Sequence, residues 1–201
     1  MAEPRRQGAL LGHLLPGRDG APGAAPGAAP GAILAARHPG AMAQISGAHG
    51  AAARDALVHS LALAHAPRPL QCTPGDELAL LWNGPGQYLA VSWRHREHEL
   101  AAELGAALRA SAAVAVDVSH ARTVLHLCGP ARVEVLAQGC ALDLDGMQAG
   151  QCAATVVSHF NVLLHCTHDA GFDLYVTRSL AQSFFEWLCL AGAPFGVEVT
   201  D

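Results

Sequence analysis

The sequence contains no lysine, so all twelve of its positively charged residues are arginine. The formal net charge is −5, and no segment gathers the arginines into a basic stripe. Because nucleic-acid binding depends on neutralising several phosphates at once, this charge balance argues against a nucleic-acid partner. The apolar runs are also broken by His, Arg, Gly or Pro well before the ~20 residues that a bilayer span requires. We therefore expect neither nucleic acid nor a membrane as a partner.

Cysteine-based and phosphate-binding motifs are missing as well. The six cysteines form no CxxC pair, which argues against a zinc knuckle or a thioredoxin-type site. His13 interrupts the short apolar stretch after Arg5 and Arg6, so we do not identify a secretory leader. We expect reduced, mostly buried thiols in a cytoplasmic protein, with a disulfide framework as the minor alternative. No Walker loop and no strand-associated GxGxxG is present, so we predict no nucleotide site in this chain.

Residues 1–45 differ in composition from the rest of the chain. An Ala-Pro-Gly repeat over residues 21–31 removes backbone donors, adds chain entropy and supplies no side chain to bury. We therefore predict a disordered tail over residues 1–45 and one folded domain over residues 46–201. Met42 lies just before the ordinary sequence begins, which favours it as an alternative start codon. The intact mass of the native protein would test this hypothesis.

The folded part alternates between helical and strand patterns. Helices are predicted over 51–64, 98–109, 130–138 and from residue 179 onward, and strands over 87–93, 114–118, 123–128, 152–158, 161–167, 172–176 and 195–199. Pro130 is expected in the first turn of the third helix, and Ser179 with Gln182 is expected to form a capping box on the last. This order predicts an α+β fold with helices on one face of a largely antiparallel sheet.

Twelve histidines raise the question of metal or acid–base chemistry. None stands in a helical HxxxH pattern with a matching carboxylate, so surface or core roles are favoured over a metal site. The histidines weighed in this way are His95, His98, His120, His126, His159, His165 and His168. Cys128 and Cys140 are interpreted as buried small hydrophobes, and the alternative is a nucleophile at Cys128 with His126, two residues away on the same strand face, as its base. Asp143 and Asp145 are interpreted as turn residues before Gly146.

A longer motif spans residues 116–130, which read Val-Asp-Val-Ser-His-Ala-Arg-Thr-Val-Leu-His-Leu-Cys-Gly-Pro. The pattern DVSH followed by RTVLxLxGP resembles the central motif of the gamma subunits of heterotetrameric sarcosine oxidase. The resemblance covers about residues 83–192. Beyond the central motif, the matching segments are 135–144, 153–155, 162–165, 172–179 and 186–188. It departs at Ala141, where the family usually has proline. The same skeleton is similar to the glycine-cleavage T-protein, the folate-dependent aminomethyltransferase family, which implies a T-protein-like fold.

The resemblance implies an accessory, non-catalytic subunit of an oxidoreductase. The heterotetramer oxidatively demethylates sarcosine to glycine with O2 and tetrahydrofolate, giving H2O2 and 5,10-methylenetetrahydrofolate. FAD, FMN, NAD, tetrahydrofolate and zinc are expected in the alpha, beta and delta partner subunits, and none in this chain. No catalytic, cofactor-binding or metal-binding residue is carried over onto this sequence. The DVSH segment and Gly129-Pro130 are expected to have structural roles.

Two other functions remain open at the level of sequence. The first is a free-standing folate-binding module, in which Asp117 would be the candidate ligand of the pterin. The second is the same subunit role in a complex that oxidises another N-methyl amine. The subunit role also predicts an exposed apolar face larger than a monomer usually shows.

Overall fold

The computed structural model describes residues 8–10, 12, 15–21 and 27–200. Within these residues the chain forms helices α1 (Ala51–Ser60), α2 (Glu99–Ala107), α3 (Arg132–Ala137) and α4 (Ala181–Gly192). The strands are β1 (Gly17–Asp19), β2 (Ala32–Arg37), β3 (Ala41–Ser46), β4 (Cys72–Gly75), β5 (Leu78–Gly84), β6 (Gln87–Ser92), β7 (Val114–Asp117), β8 (Arg122–Cys128), β9 (Cys152–Val157), β10 (Phe160–Cys166), β11 (Phe172–Thr177) and β12 (Val197–Thr200). No helix in the described part of the chain is long and apolar enough to cross a bilayer.

The strands form two sheets. The large sheet has the order β1-β12-β2-β8-β11-β10-β9, and the small sheet has the order β4-β5-β6-β3-β7. Every pairing is antiparallel except that between β12 and β2. The predicted α+β fold with a largely antiparallel sheet is therefore confirmed, with two sheets in place of one.

The two sheets and four helices stack in four layers. One face of the large sheet packs against α3 and α4 around Leu34 and Phe184. Its other face meets the small sheet around Leu89 and Tyr175. The outer face of the small sheet is covered by α1 and α2, where Leu104 is fully buried. Each sheet thus carries helices on one face only, because the other sheet buries its second face and removes that apolar area from water.

Strands β2 and β3 correct the predicted disordered tail. Both lie within residues 1–45 or cross their boundary, and Leu34 of β2 and Met42 of β3 are fully buried. The proposed domain boundary falls inside β3, so it does not separate two structural units. The composition was misleading because alanines pack closely between strands in these layers without a large apolar side chain. Residues 22–26 of the Ala-Pro-Gly repeat lie outside the described residues.

Several element ends differ from the sequence predictions. Pro130 precedes α3, whose N-cap is Ala131, so the proline lies outside the helix. Ser179 falls in a short 3-10 turn before α4, whose N-cap is Leu180, and no side chain caps α4. The amide of Gln182 instead donates to Glu186, so the predicted capping box is wrong.

Two strands differ in how they are buried. The alternation of residues 87–93 suggests a half-buried strand, but β6 is buried on both faces, with Leu89 toward the large sheet and Tyr88 toward the helices. The position of β12 near the end of the chain suggests an edge strand, but it lies between β1 and β2.

Candidate functional site

A row of polar side chains crosses the large sheet on the face that meets the small sheet. Strand pairing places His126 of β8 opposite Asp173 of β11, and Asp173 opposite His165 of β10. Cross-strand neighbours point to the same face of a sheet, so the three side chains lie in one line. All three come from strands that the large sheet holds in its interior, where the backbone register fixes their positions.

Arg37, at the end of β2, converts this row into a charged network. Its guanidinium donates to Asp173 Oδ2 at 3.2 Å and to Asp169 Oδ2 at 2.5 Å. His126 Nδ1 lies 2.8 Å from Asp173 Oδ1, and its Nε2 lies 3.3 Å from the Arg37 guanidinium. We call these four residues, Arg37, His126, Asp169 and Asp173, the Arg37 network. It joins β2, β8, β11 and the turn between β10 and β11.

The network runs from solvent into the protein interior. The Asp169 side chain is 50% exposed, whereas that of Asp173 is 2% exposed. Burial by itself would lower the pKa of Arg37, but Asp173 and Asp169 outweigh it and raise that pKa. Burial would likewise raise the pKa of Asp169, but hydrogen bonds from Thr167 and Arg37 lower it to about 2. Both charges are therefore stabilised by each other in the folded chain.

A histidine held by a carboxylate is also the orienting pair of many general bases. Here the second ring nitrogen of His126, the one that a general base would use, lies 3.3 Å from the Arg37 guanidinium and so faces a group of this chain. The nearby Cys128 is not activated, because burial raises the pKa of its thiol. The prediction of His126 as a satisfied, buried histidine is confirmed.

Two polar atoms beside the network have no hydrogen-bond partner among the described residues. They are His165 Nδ1 and the Tyr175 hydroxyl, both buried between the sheets. Burial lowers the pKa of His165 and raises that of Tyr175 well above its usual value. Both side chains are therefore held neutral, and they add no charge to the network.

The DVSH segment ties the end of β7 to its neighbour β3 within the small sheet. The Ser119 hydroxyl accepts from the Met42 backbone N–H at 2.9 Å and donates to Asp117 Oδ1 at 2.5 Å. The other Asp117 carboxylate oxygen pairs with His98. Burial would raise the pKa of Asp117, but the hydrogen bonds from Ser119 outweigh it and lower that pKa. Both carboxylate oxygens are thus engaged within the chain, which does not favour Asp117 as a pterin ligand.

The other histidines and acids weighed in the sequence do not converge on one site. No group of three or more His, Cys, Asp or Glu side chains in the described residues is arranged to hold a metal ion. His95 bridges Ser92 and Glu103, and His120 pairs with Glu97. Ser92 is buried, whereas Glu97 and Glu103 are partly exposed. His159 packs its ring on Phe160 and lies 3.1 Å from the Ser158 hydroxyl, and Gly146 N–H donates to Asp143 in a turn.

All six cysteines are free thiols. Burial raises the pKa of Cys72 and of Cys152 to about 12, so neither is a thiolate at neutral pH. Cys140 is buried, in agreement with its interpretation as a small core hydrophobe.

Comparison with known proteins identifies relatives across most of the chain. The model of the sarcosine oxidase gamma subunit family matches residues 44–194. A sarcosine oxidase subunit gamma of Corynebacterium sp. (strain P-1) is 35% identical over 122 residues, which are 60% of this chain and 59% of that protein. One of Arthrobacter sp. is 33% identical over 119 residues, 58% of each chain. The chain therefore spans about three fifths of the length of the curated relatives that it matches.

Two solved structures share the fold. A chain of the heterotetrameric sarcosine oxidase from Corynebacterium sp. U-96 superposes with a TM-score of 0.75 at 23% identity, covering 84% of this chain and 87% of that chain. The glycine cleavage system aminomethyltransferase T from Bartonella henselae superposes with a TM-score of 0.60 at 17% identity, covering 82% of this chain and 49% of that chain. At these identities the two structures establish the architecture, and the T-protein-like fold expected from the sequence is confirmed.

Proposed function

This chain belongs to the sarcosine oxidase gamma subunit family, and we propose that it is the accessory gamma subunit of a heterotetrameric complex that oxidatively demethylates sarcosine. The family match over residues 44–194 carries this proposal. The complex would convert sarcosine to glycine with O2 and tetrahydrofolate, yielding H2O2 and 5,10-methylenetetrahydrofolate. We place the assembled complex in the cytoplasm.

We further propose that the chemistry takes place in the alpha, beta and delta subunits. FAD, FMN, NAD, tetrahydrofolate and zinc would be held there, and this chain would contribute structure. Two observations support this division of roles. The His126 ring is enclosed by Asp173 and Arg37, and the Asp117 carboxylate is engaged by Ser119 and His98. Neither group is free to act on a substrate.

The β7 edge of the small sheet is our candidate for a subunit contact. Strand β7 is the last strand of its sheet, and Val114 and Val116 on it are both more than half exposed. The unpaired N–H and C=O groups of an edge strand with apolar side chains can pair with a strand of another chain. Soluble monomers usually protect such edges with charged side chains. A partner subunit that covers β7 would bury both valines.

Purification of the tagged native chain from its own cells tests the subunit role. Large partner proteins and the visible absorption of bound flavin in the eluate are the expected result. Oxidation of sarcosine in preference to other N-methyl amines by that eluate would identify the substrate. A colourless eluate with this chain alone would contradict the proposal.

A charged variant of the β7 edge tests the contact. Val116→Asp should reduce the amount of flavoprotein that is recovered with the tagged chain, because a carboxylate would be buried at the interface. Leu190→Asp, at a highly exposed position on α4, is the matched control. Equal recovery with both variants would exclude β7 as the contact.

A further inference from the structure

A cleft opens where the two sheets diverge. On the large sheet, Arg122 of β8 pairs with Thr177 of β11. This pair is two residues along the strands from the buried pair of Val124 and Tyr175, on the same face of the sheet. Asn161 of β10, which pairs with Val156 of β9, also lines this end. The small sheet no longer covers this end, so the side chains face an open cleft of about 310 Å³. Its lining residues are Asn83, Arg122, Ala154, Thr155, Val156, Asn161, Val162, Leu163 and Thr177.

Arg122 is the only charged residue in this lining. Its side chain makes one long contact, at 3.5 Å, with the amide oxygen of Gln44, and it has no carboxylate partner among the described residues. Gln44 is itself held in place, because Asn83 donates to the same oxygen. Burial lowers the pKa of Arg122, and no acidic group opposes that effect. Arg37, in contrast, has two carboxylate partners, Asp169 and Asp173.

A half-buried guanidinium without a counter-ion has lost part of its hydration without an opposite charge to compensate for it. A carboxylate would supply both the hydrogen bonds and the opposite charge, because its two oxygens match the planar fork of the guanidinium. The single positive charge suits a monoanion better than a phosphate dianion. The amides and hydroxyls of the lining add donors, and Val156 and Leu163 offer contact to a short apolar body. The volume lies at the lower end of the range for small-molecule pockets.

We propose that this cleft is a binding site for a small organic carboxylate, with Arg122 as the residue that pairs with the anion. The lining holds no acidic residue that could pair with an ammonium group, so simple carboxylic acids are favoured over amino acids. This inference does not rest on the accessory role proposed above, because it depends only on the side chains of the cleft.

Titration of the full chain with propionate, followed by NMR chemical shifts, tests the site. Saturable shifts should map to the backbone amides of β8, β9 and β10 around the cleft. Glycine, which carries an ammonium group, should bind more weakly than propionate. Absence of saturable shifts, or shifts that map elsewhere, would overturn the proposal.

Two variants separate the site from general effects of charge. Arg122→Gln should weaken propionate binding by roughly tenfold or more, since it removes a charge-assisted, bidentate interaction. Arg109→Gln removes an equal charge from an exposed position and should leave binding unchanged. Equal losses in both variants would overturn the assignment.

If Arg122→Gln does not fold, a third variant tests the binding site. Asn161→Asp changes an exposed residue of the lining, places a competing carboxylate in the cleft and should abolish propionate binding. Unchanged binding in this variant would overturn the proposal. Binding by the chain alone that disappears in the purified complex would assign the cleft to a carboxylate of a partner protein, and would overturn the small-acid ligand.

Discussion

Arg37 serves two carboxylates that differ greatly in their exposure to water. The Asp173 side chain is 2% exposed and depends on Arg37 and His126 for its hydrogen bonds, whereas that of Asp169 is half in solvent. An ionised carboxylate in the interior is tolerated only when it is paired and hydrogen-bonded. The residue that stabilises the folded chain most in this network is therefore the arginine, because it compensates the buried charge.

Replacing Arg37 by leucine should lower the free energy of unfolding. We expect a loss on the order of 2 kcal/mol, less than for a fully buried pair because the Arg37 side chain is itself partly exposed. Urea denaturation monitored by circular dichroism would measure it. Arg109→Leu, at an exposed position, is the control and should change stability little. A loss no larger than that of the control would show that the pairing contributes nothing.

Asp169 should make stability depend on pH in the acidic range. Its pKa is about 2 in the folded chain and 3.8 ordinarily, so the unfolded chain binds the proton first as the pH falls. Its contribution is present in full above about pH 4 and is lost between pH 4 and pH 2. Asp169→Asn should flatten the fall of the urea midpoint over that window. Some slope should remain, because the pKa of Asp117 is also lowered. Parallel curves for both proteins would contradict the assignment.

At the scale of elements, Ser119 and Ser179 differ in the hydrogen bonds that they make. Ser119 is buried and accepts from the Met42 backbone N–H, which ties the connection after β7 to the neighbouring strand β3, whereas Ser179 caps no helix. Ser119→Ala should cost about 1–3 kcal/mol, because a buried donor loses its acceptor. Ser179→Ala should change stability by less than about 0.5 kcal/mol. Thermal unfolding of the two variants side by side distinguishes them, and similar losses would restore a capping role for Ser179.

The same elements show what could be predicted from the sequence. Strands β8 to β11 were located closely, because short apolar runs alternate there with clear turn residues. Strand β5 was missed, since Leu78 to Leu81 is buried on both faces and carries no alternation. Strand β4 was missed because Pro74 argued against a strand. It is an edge strand, where the missing N–H of proline is tolerated.

The Arg37 network was beyond prediction from the sequence for a related reason. Its members come from four segments that only the strand order of the large sheet brings together. His126 could be expected in the core from its strand position, but its partners could not. Arg37 lies in the segment that was predicted to be disordered. The motif around Ser119 and Asp117 was recognisable in advance through its resemblance to a known family, but only part of its contacts is local.

At the scale of the whole molecule, the chain passes between the two sheets at two short connections. Strand β2 belongs to the large sheet and β3, only a few residues later, to the small sheet. The step from β7 to β8 makes the reverse crossing. Val118 N–H donates to the Met42 carbonyl at 2.8 Å, so the connection from β7 to β8 begins bonded to β3, the strand that follows the other crossing. The large sheet therefore includes β1 and β2, before Met42, as well as the strands from β8 onward.

A chain that begins at Met42 should fail to form the large sheet. It would lack β2, which lies between β8 and β12, and with it the buried Leu34 and the Arg37 that compensates Asp173. We expect loss of cooperative thermal unfolding and exposure of apolar surface to a hydrophobic dye. A chain that begins at Ala28 is the control. It keeps β2 and, among the described residues, loses the exposed edge strand β1 and outlying contacts such as that of Leu10, so it should unfold cooperatively at a lower temperature. Equal melting temperatures of the Met42 chain and the full chain would show that β2 is dispensable and would favour Met42 as the native start.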